Sequence, residues 1–179
     1  MKKYFIIIFI VLFTVLAFLY FYSQPKVSEI NSFTDCMAAG NPVMESYPRQ
    51  CNANGETFRE DIGNELEKDD LIRISEPRPN AQITSPVTVK GFARGNWFFE
   101  GDFPMMVVDW DGKIIGTGYA TAEGGWMTTE FVPFSGTIAF DKTQIQGNYS
   151  NKGTLILQKD NPSGLSEHDD ALEIPIVFK

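Results

Sequence analysis

Histidine is nearly absent from the chain and cysteine is scarce: 179 residues hold one His and two Cys. Metal centres built on imidazole or thiolate need several such ligands, and nucleophilic catalysis needs a base beside its nucleophile. The lone His168 stands in an acidic run, Glu167-His168-Asp169-Asp170, more than a hundred residues beyond both cysteines. No Ser/His/Asp or Cys/His arrangement can be assembled, so no enzyme activity, metal or cofactor is expected. Basic charge is also short, with 15 Lys plus Arg against 23 Asp plus Glu. Without Lys2 and Lys3 the balance after residue 22 is 13 against 23, a net −10. An acidic body repels nucleic acid, which is excluded as a partner on that ground.

Acids are missing from the start of the chain, where none precedes Glu29. After Met1-Lys2-Lys3, residues 4–22 are apolar or aromatic apart from Thr14. As a helix at about 1.5 Å per residue this run covers roughly 28 Å, the thickness of a bilayer's hydrocarbon core. A cleaved secretory signal has a shorter apolar region and ends in a small-x-small site. This run ends Leu19-Tyr20-Phe21-Tyr22-Ser23, without Ala-x-Ala, and no Cys follows it to carry a lipid. Tyr20 and Tyr22 suit the interfacial aromatic belt. Residues 1–23 therefore read as an uncleaved signal anchor, crossing the lipid bilayer once through residues 4–22. Lys2 and Lys3 hold the amino terminus in the cytoplasm, which places the rest of the chain outside the cell membrane.

A polar stalk, 24–35, leads to a small unit, 36–60, that contains Cys36 and Cys51. In an exported chain two cysteines read as a disulfide. The loop they close spans 16 residues, a stabilisation of roughly 3 kcal/mol by chain entropy. Asn54-Gly55 is a type I′ hairpin signal with the return strand starting at Thr57. The run Cys51-Asn52-Ala53-Asn54-Gly55-Glu56-Thr57-Phe58 resembles the Cys-x-x-x-Gly-x-Thr-aromatic corner of Kazal-type protease inhibitors. That resemblance covers eight residues, and Kazal domains carry more cysteines than this chain has. Residues 61–70 are rich in acids and poor in apolar residues, and read as a solvated linker.

From Leu71 strand signals recur between turns. Leu71–Ile74, Val87–Ala93, Met105–Trp110, Ile114–Thr121, Trp126–Phe140, Gly153–Lys159 and Leu172–Phe178 make about seven strands, with no amphipathic helix. Glu76-Pro77-Arg78-Pro79-Asn80 is a break after the first, and Asp111-Gly112 turns a hairpin. Pro133 predicts a bend or a division in the fifth. The count and spacing predict an all-β immunoglobulin-like antiparallel sandwich over 71–179. Several pieces follow in order: Ile74-x-x-Pro77, Ile83-Thr84-Ser85-Pro86-Val87-x-Val89-x-Gly91-x-Ala93, Trp97-Phe98-Phe99-Glu100-Gly101 and Asp109-x-Asp111-Gly112. With Trp126–Phe140 they resemble the immunoglobulin-like domain of bacterial spore-germination proteins. The resemblance implies an extracytoplasmic adhesion or interaction module of the cell envelope, and brings no catalytic residues with it.

The densest aromatic stretch, Trp97-Phe98-Phe99-Glu100-Gly101-Asp102-Phe103, is the candidate site. Trp97, Phe99, Glu100 and Phe103 could form a stacking surface for a protein or glycan. Strand alternation places Phe98 in the core and leaves Trp97 and Phe99 partly exposed. Trp110 and Trp126 are expected in the core. Glu100 and Asp102 could pair as glycosidase carboxylates, but such pairs flank a substrate in a cleft, which a small sandwich does not offer. Asp109-Trp110-Asp111-Gly112 lacks the further oxygens of a calcium loop and reads as a hairpin turn. Two functions follow: a membrane-anchored envelope binding or scaffolding module, or an inhibitor of an extracellular protease acting through the Cys36–Cys51 loop.

Overall fold

The computed structural model describes residues 13–15, 18, 29–145 and 149–179. The apolar run 4–22 therefore lies largely outside the described residues, and most of the stalk's first half with it. Among the described residues no helix is long and apolar enough to cross a membrane. The chain divides into two compact units, Met1–Arg59 and Glu60–Lys179.

In the first unit, Ser32 caps helix α1 (Phe33–Ala38) by accepting a hydrogen bond from the Asp35 amide at 3.1 Å. A helix brings residues three apart onto one face, so Phe33 and Cys36 turn inward together. Strands β1 (Val43–Met44), β2 (Gln50–Ala53) and β3 (Glu56–Arg59) form a three-stranded antiparallel sheet. Asn54 and Gly55 both have positive φ, 54° and 84°, as a type I′ turn requires. Cys36 and Cys51 form the expected disulfide, with their Cα atoms 6.1 Å apart. The core is small: Phe33, Cys36, Cys51 and Ala53, with Ile30, Met37 and Phe58 packed on it.

The second unit is a β-sandwich. Its strands are β4 (Ile72–Glu76), β5 (Gln82–Ile83), β6 (Val87–Arg94), β7 (Asp102–Asp109), β8 (Ile114–Ala122), β9 (Phe131–Ile138), β10 (Lys152–Gln158) and β11 (Ala171–Phe178). They hydrogen-bond in the order β4-β6-β9-β8-β7-β10-β11-β5, a sheet that curls over on itself. Alternation places Val87, Val89 and Ala93 of β6, and Leu172, Ile174 and Ile176 of β11, in one core. The seven expected strands are all present, and Trp126–Phe140 supplies one of them, β9. Pro133 is accommodated because alternate residues of β9 bond to β6. Its missing N–H faces β8, where pairing with β9 ends at Phe134.

Two features differ from expectation. One strand is additional: after Glu76 the chain crosses through Pro77 to β5, which runs parallel to β11 on the other side of the sandwich. The solvated linker 61–70 is instead folded onto the second unit. Ile62 and Glu65 are buried, and a short helix α2 (Glu65–Lys68) forms. Asn64 is fastened to β11, donating to the Ala171 carbonyl at 2.9 Å and accepting from the Glu173 amide at 2.8 Å. Lys68 pairs with Asp170 at 2.6 Å, and Arg78 with Glu65 at 2.6 Å. Acidic composition marks a solvated segment only when its charges have no distant partners, and here Glu65 has Arg78 and Lys68 has Asp170.

Candidate functional site

The aromatic stretch forms the connection between β6 and β7. Gly95–Trp97 is one turn of 3-10 helix, and Gly95 is required there. A Cβ on Gly95 would stand 2.0 Å from the Thr128 carbonyl oxygen and 2.2 Å from that of Trp126. The helical turn carries Trp97 inward and Phe98 follows it. Phe99 and Asp102 then exchange backbone hydrogen bonds at 3.0 and 3.1 Å around Glu100-Gly101. Glu100 (φ 53°) and Gly101 (φ 89°) both adopt left-handed backbone, so this is a second type I′ turn. Glu100 holds a conformation that costs a non-glycine residue about 1 kcal/mol or more. The half-buried ring of Trp126 covers Gly101, whose added Cβ would lie 3.3 Å from Cδ1.

This geometry separates the four candidate residues. Phe99 (42% exposed) and Glu100 stand at the tip of the connection in solvent. Trp97 and Phe103 are fully buried (both 0%), so neither can touch a ligand directly. Phe103 belongs to an aromatic row, 5.3 Å from the Phe98 ring and edge-on to Phe134 at 4.9 Å. Phe98 is buried and Phe99 partly exposed, as alternation predicts, but Trp97 corrects the prediction. Alternation holds within a strand; the 3-10 turn before Phe98 resets it, so two consecutive aromatics face inward. The Trp97 carbonyl accepts from the Asp160 amide at 3.1 Å, while its buried Nε1 has no hydrogen-bond partner among the described residues.

The remaining residues fall into place around this scaffold. Asp109-Trp110-Asp111-Gly112 is the β7–β8 turn, as expected. Oδ1 of the buried Asp109 accepts from the Asp111 amide at 3.0 Å and the Lys113 amide at 2.9 Å, which holds the turn closed. Trp110 is a second correction: it is 43% exposed, and its ring meets that of Tyr149 at 6.0 Å. A turn residue lies beyond the last ladder pair and has no facing sheet to cover it. Asp169 and Asp170 are engaged by Asn161 and Lys68. No group of three His, Cys, Asp or Glu side chains suited to a metal converges among the described residues.

Two features escaped the sequence reading. Phe131 is held between two guanidinium groups, Arg73 at 4.4 Å and Arg94 at 4.1 Å from its ring centre. Arg73 is itself gripped at two points by Asp69. These residues lie far apart in the chain, and only the register of β4, β6 and β9 unites them. The second feature is an open groove of about 670 Å³ where β4 leaves the sheet, lined by residues 75–78, 81–84, 86–88 and Lys90. Its signal was the Glu76-Pro77-Arg78-Pro79-Asn80 break, which marks where the chain changes sides.

No curated protein and no solved structure shows a significant match to the chain. A family model does match, over residues 71–162: Gmad2, the immunoglobulin-like domain of bacterial spore germination. The match spans more than half of the chain and takes in β4 to β10 with the connection that carries Phe99 and Glu100. A sandwich of this architecture and a match of this extent agree, and the chain belongs to the family of immunoglobulin-like domains of bacterial spore germination.

Proposed function

We propose that the protein is a membrane-anchored binding module of the bacterial cell envelope that works without catalysis, taking an envelope protein or glycan as its partner. The observation that carries this reading is the β6–β7 connection. Buried Trp97, Phe98 and Phe103 fix its base in the core, and its tip offers an aromatic ring, Phe99, beside a carboxylate, Glu100. A rigid base beneath an exposed aromatic lowers the ordering cost of binding, and aromatic rings, Phe included, are enriched in interfaces. Residues 4–22 would hold the module at the membrane with its sandwich outside. The test uses the full chain in detergent micelles, offered purified cell-wall glycan and envelope protein fractions. Phe99→Ala and Glu100→Ala should each cut retention while leaving the melting temperature unchanged. Retention equal to the parent chain would remove the connection from the binding surface.

A second reading has one observation in its favour. The disulfide-closed segment between Cys36 and Cys51 exposes Val43, Met44 and Tyr47. An apolar, covalently braced loop is what a protease inhibitor presents. Inhibition of any member of a panel of secreted proteases, lost on reduction, would favour this reading over envelope binding.

A further inference from the structure

The groove beside β4 is bordered by strand edges whose backbone groups have lost their partners. The Arg94 amide donates to the Leu71 carbonyl at 2.8 Å, which sets the phase of the β4–β6 ladder. In an antiparallel ladder bonded pairs alternate, so Arg94, Phe92 and Lys90 turn their amides and carbonyls toward β4. Thr88 has the same phase, whereas Val87 and Val89 bond to β9. The last residue of β4 is Glu76, opposite Lys90, so nothing from β4 reaches Thr88. Across the groove, the Val177 and Lys179 amides donate to the carbonyls of Ala81 and Ile83 at 3.0 and 3.1 Å. Gln82, between them, therefore turns its own N–H and C=O away from β11. Thr88 and Gln82 both line the groove.

We infer that this groove is a strand-addition site: an extended polypeptide segment lies beside β6 where β4 departs, and bonds to the main chain of Thr88 or Gln82. Unpaired strand edges recruit extended peptides, with main-chain bonds for affinity and side-chain pockets for selectivity. The accessible apolar part of the lining, Pro86 and half-buried Ala81, would seat side chains of such a segment. Charge narrows the occupant. The second unit carries 10 Lys plus Arg against 19 Asp plus Glu, yet this groove has Arg78 and Lys90 against Glu76 alone. Arg78 is occupied by Glu65, and Lys90 makes no ion pair among the described residues. The segment therefore carries an acidic side chain placed to meet Lys90. This site is separate from the Phe99–Glu100 tip, so the failure of either leaves the other standing.

The probe is a display library of random twelve-residue peptides, selected against the full chain in detergent micelles. Selected peptides should contain an acidic residue among β-formers. N-methylation at alternate peptide residues should weaken binding at least tenfold in one phase and leave it unchanged in the other, the signature of a strand bonded along one edge. One of Gln82→Pro and Thr88→Pro, the variant on the bonded edge, should cost at least tenfold in affinity. In both, the lost N–H points into the groove, so the existing ladders stay intact. Lys90→Glu gives a second check without touching the backbone, and should reverse the preference for acidic peptides. The inference is overturned if no peptide is selected, or if N-methylation acts without regard to phase. It is equally overturned if the three variants bind like the parent, or if the full chain pairs with a second copy through this groove.

Discussion

The two units of this protein reach stability by different routes. Among the described residues, the Cys36–Cys51 unit buries four in its core, two of them the disulfide itself. The sandwich buries twenty-three apolar residues in one cluster among the described residues, and holds no cysteine. A domain's buried fraction grows with its size, and a unit of a few dozen residues cannot offset its conformational entropy by burial alone. The small unit is therefore stapled through its unfolded state, while the large one is held by packing. Each should fail to a different insult.

The largest effect is expected from the sandwich core. Trp97→Ala or Phe98→Ala should each cost about 3–5 kcal/mol, as removal of a buried aromatic does. Against a typical total of about 5–15 kcal/mol, the pair together should unfold the sandwich. Phe99→Ala, one residue further on, should stay within about 1 kcal/mol. Chemical denaturation of the three single variants checks the ordering, and equal losses for all three would contradict the inward turn at Gly95–Trp97.

Reduction of Cys36–Cys51 comes next. It should remove roughly 3 kcal/mol from the small unit, seen as faster proteolysis and amide exchange across residues 29–59. The melting of the sandwich should not move. A matching fall in both transitions would show that the two units do not unfold independently.

The boundary between the units can be sharpened at Gly63. Its φ is +66°, and an added Cβ would stand 1.9 Å from the Glu173 carbonyl oxygen. Gly63→Ala should therefore cost about 1–3 kcal/mol, the range for an enforced left-handed backbone, in the sandwich transition and not in the small unit. An unchanged sandwich would return residues 61–70 to the status of a linker.

The smallest effect concerns Asp141, which caps the 3-10 turn Lys142–Gln144 by accepting from the Thr143 hydroxyl at 2.7 Å and its amide at 2.9 Å. Those bonds, the hydroxyl's first, hold the carboxyl below its ordinary value of 3.8. A lowered folded value means the cap is complete above the ordinary carboxylate range and is lost as pH falls through the lowered one. Amide exchange at Thr143 should quicken only in that acidic window, and Asp141→Asn should abolish the pH dependence. The carboxylate is fully exposed, so global melting should hardly register the change.

Much of the fold was written in local pattern. Val87-Thr88-Val89-Lys90-Gly91-Phe92-Ala93 alternates as a half-buried strand must, because successive side chains point to opposite faces. Asn54-Gly55 and Asp111-Gly112 turn as read, since few residues tolerate the backbone those turns require. The candidate site was legible only in part. Strand alternation puts Phe99 toward solvent, where it stands, whereas Trp97 and Phe103 are both taken up by the core. The partners of residues 61–70 lie beyond a sequence window, at Arg78, Asp170 and Glu173, so composition alone read them as solvated.

The amino-acid sequence by itself determined the strand periods, the positions of the turns, the pairing of the only two cysteines and the acidic balance, all of which depend on neighbours along the chain. The tertiary structure alone decided which of Trp97 and Phe99 faces solvent, that Phe131 sits between Arg73 and Arg94, and that the chain after the first strand crosses to pair with β11 as β5. Each of these depends on backbone direction at a single turn, and that direction is set by what already occupies the space beside it: the carbonyls of Trp126 and Thr128 against Gly95, and the edge of β11 that receives β5.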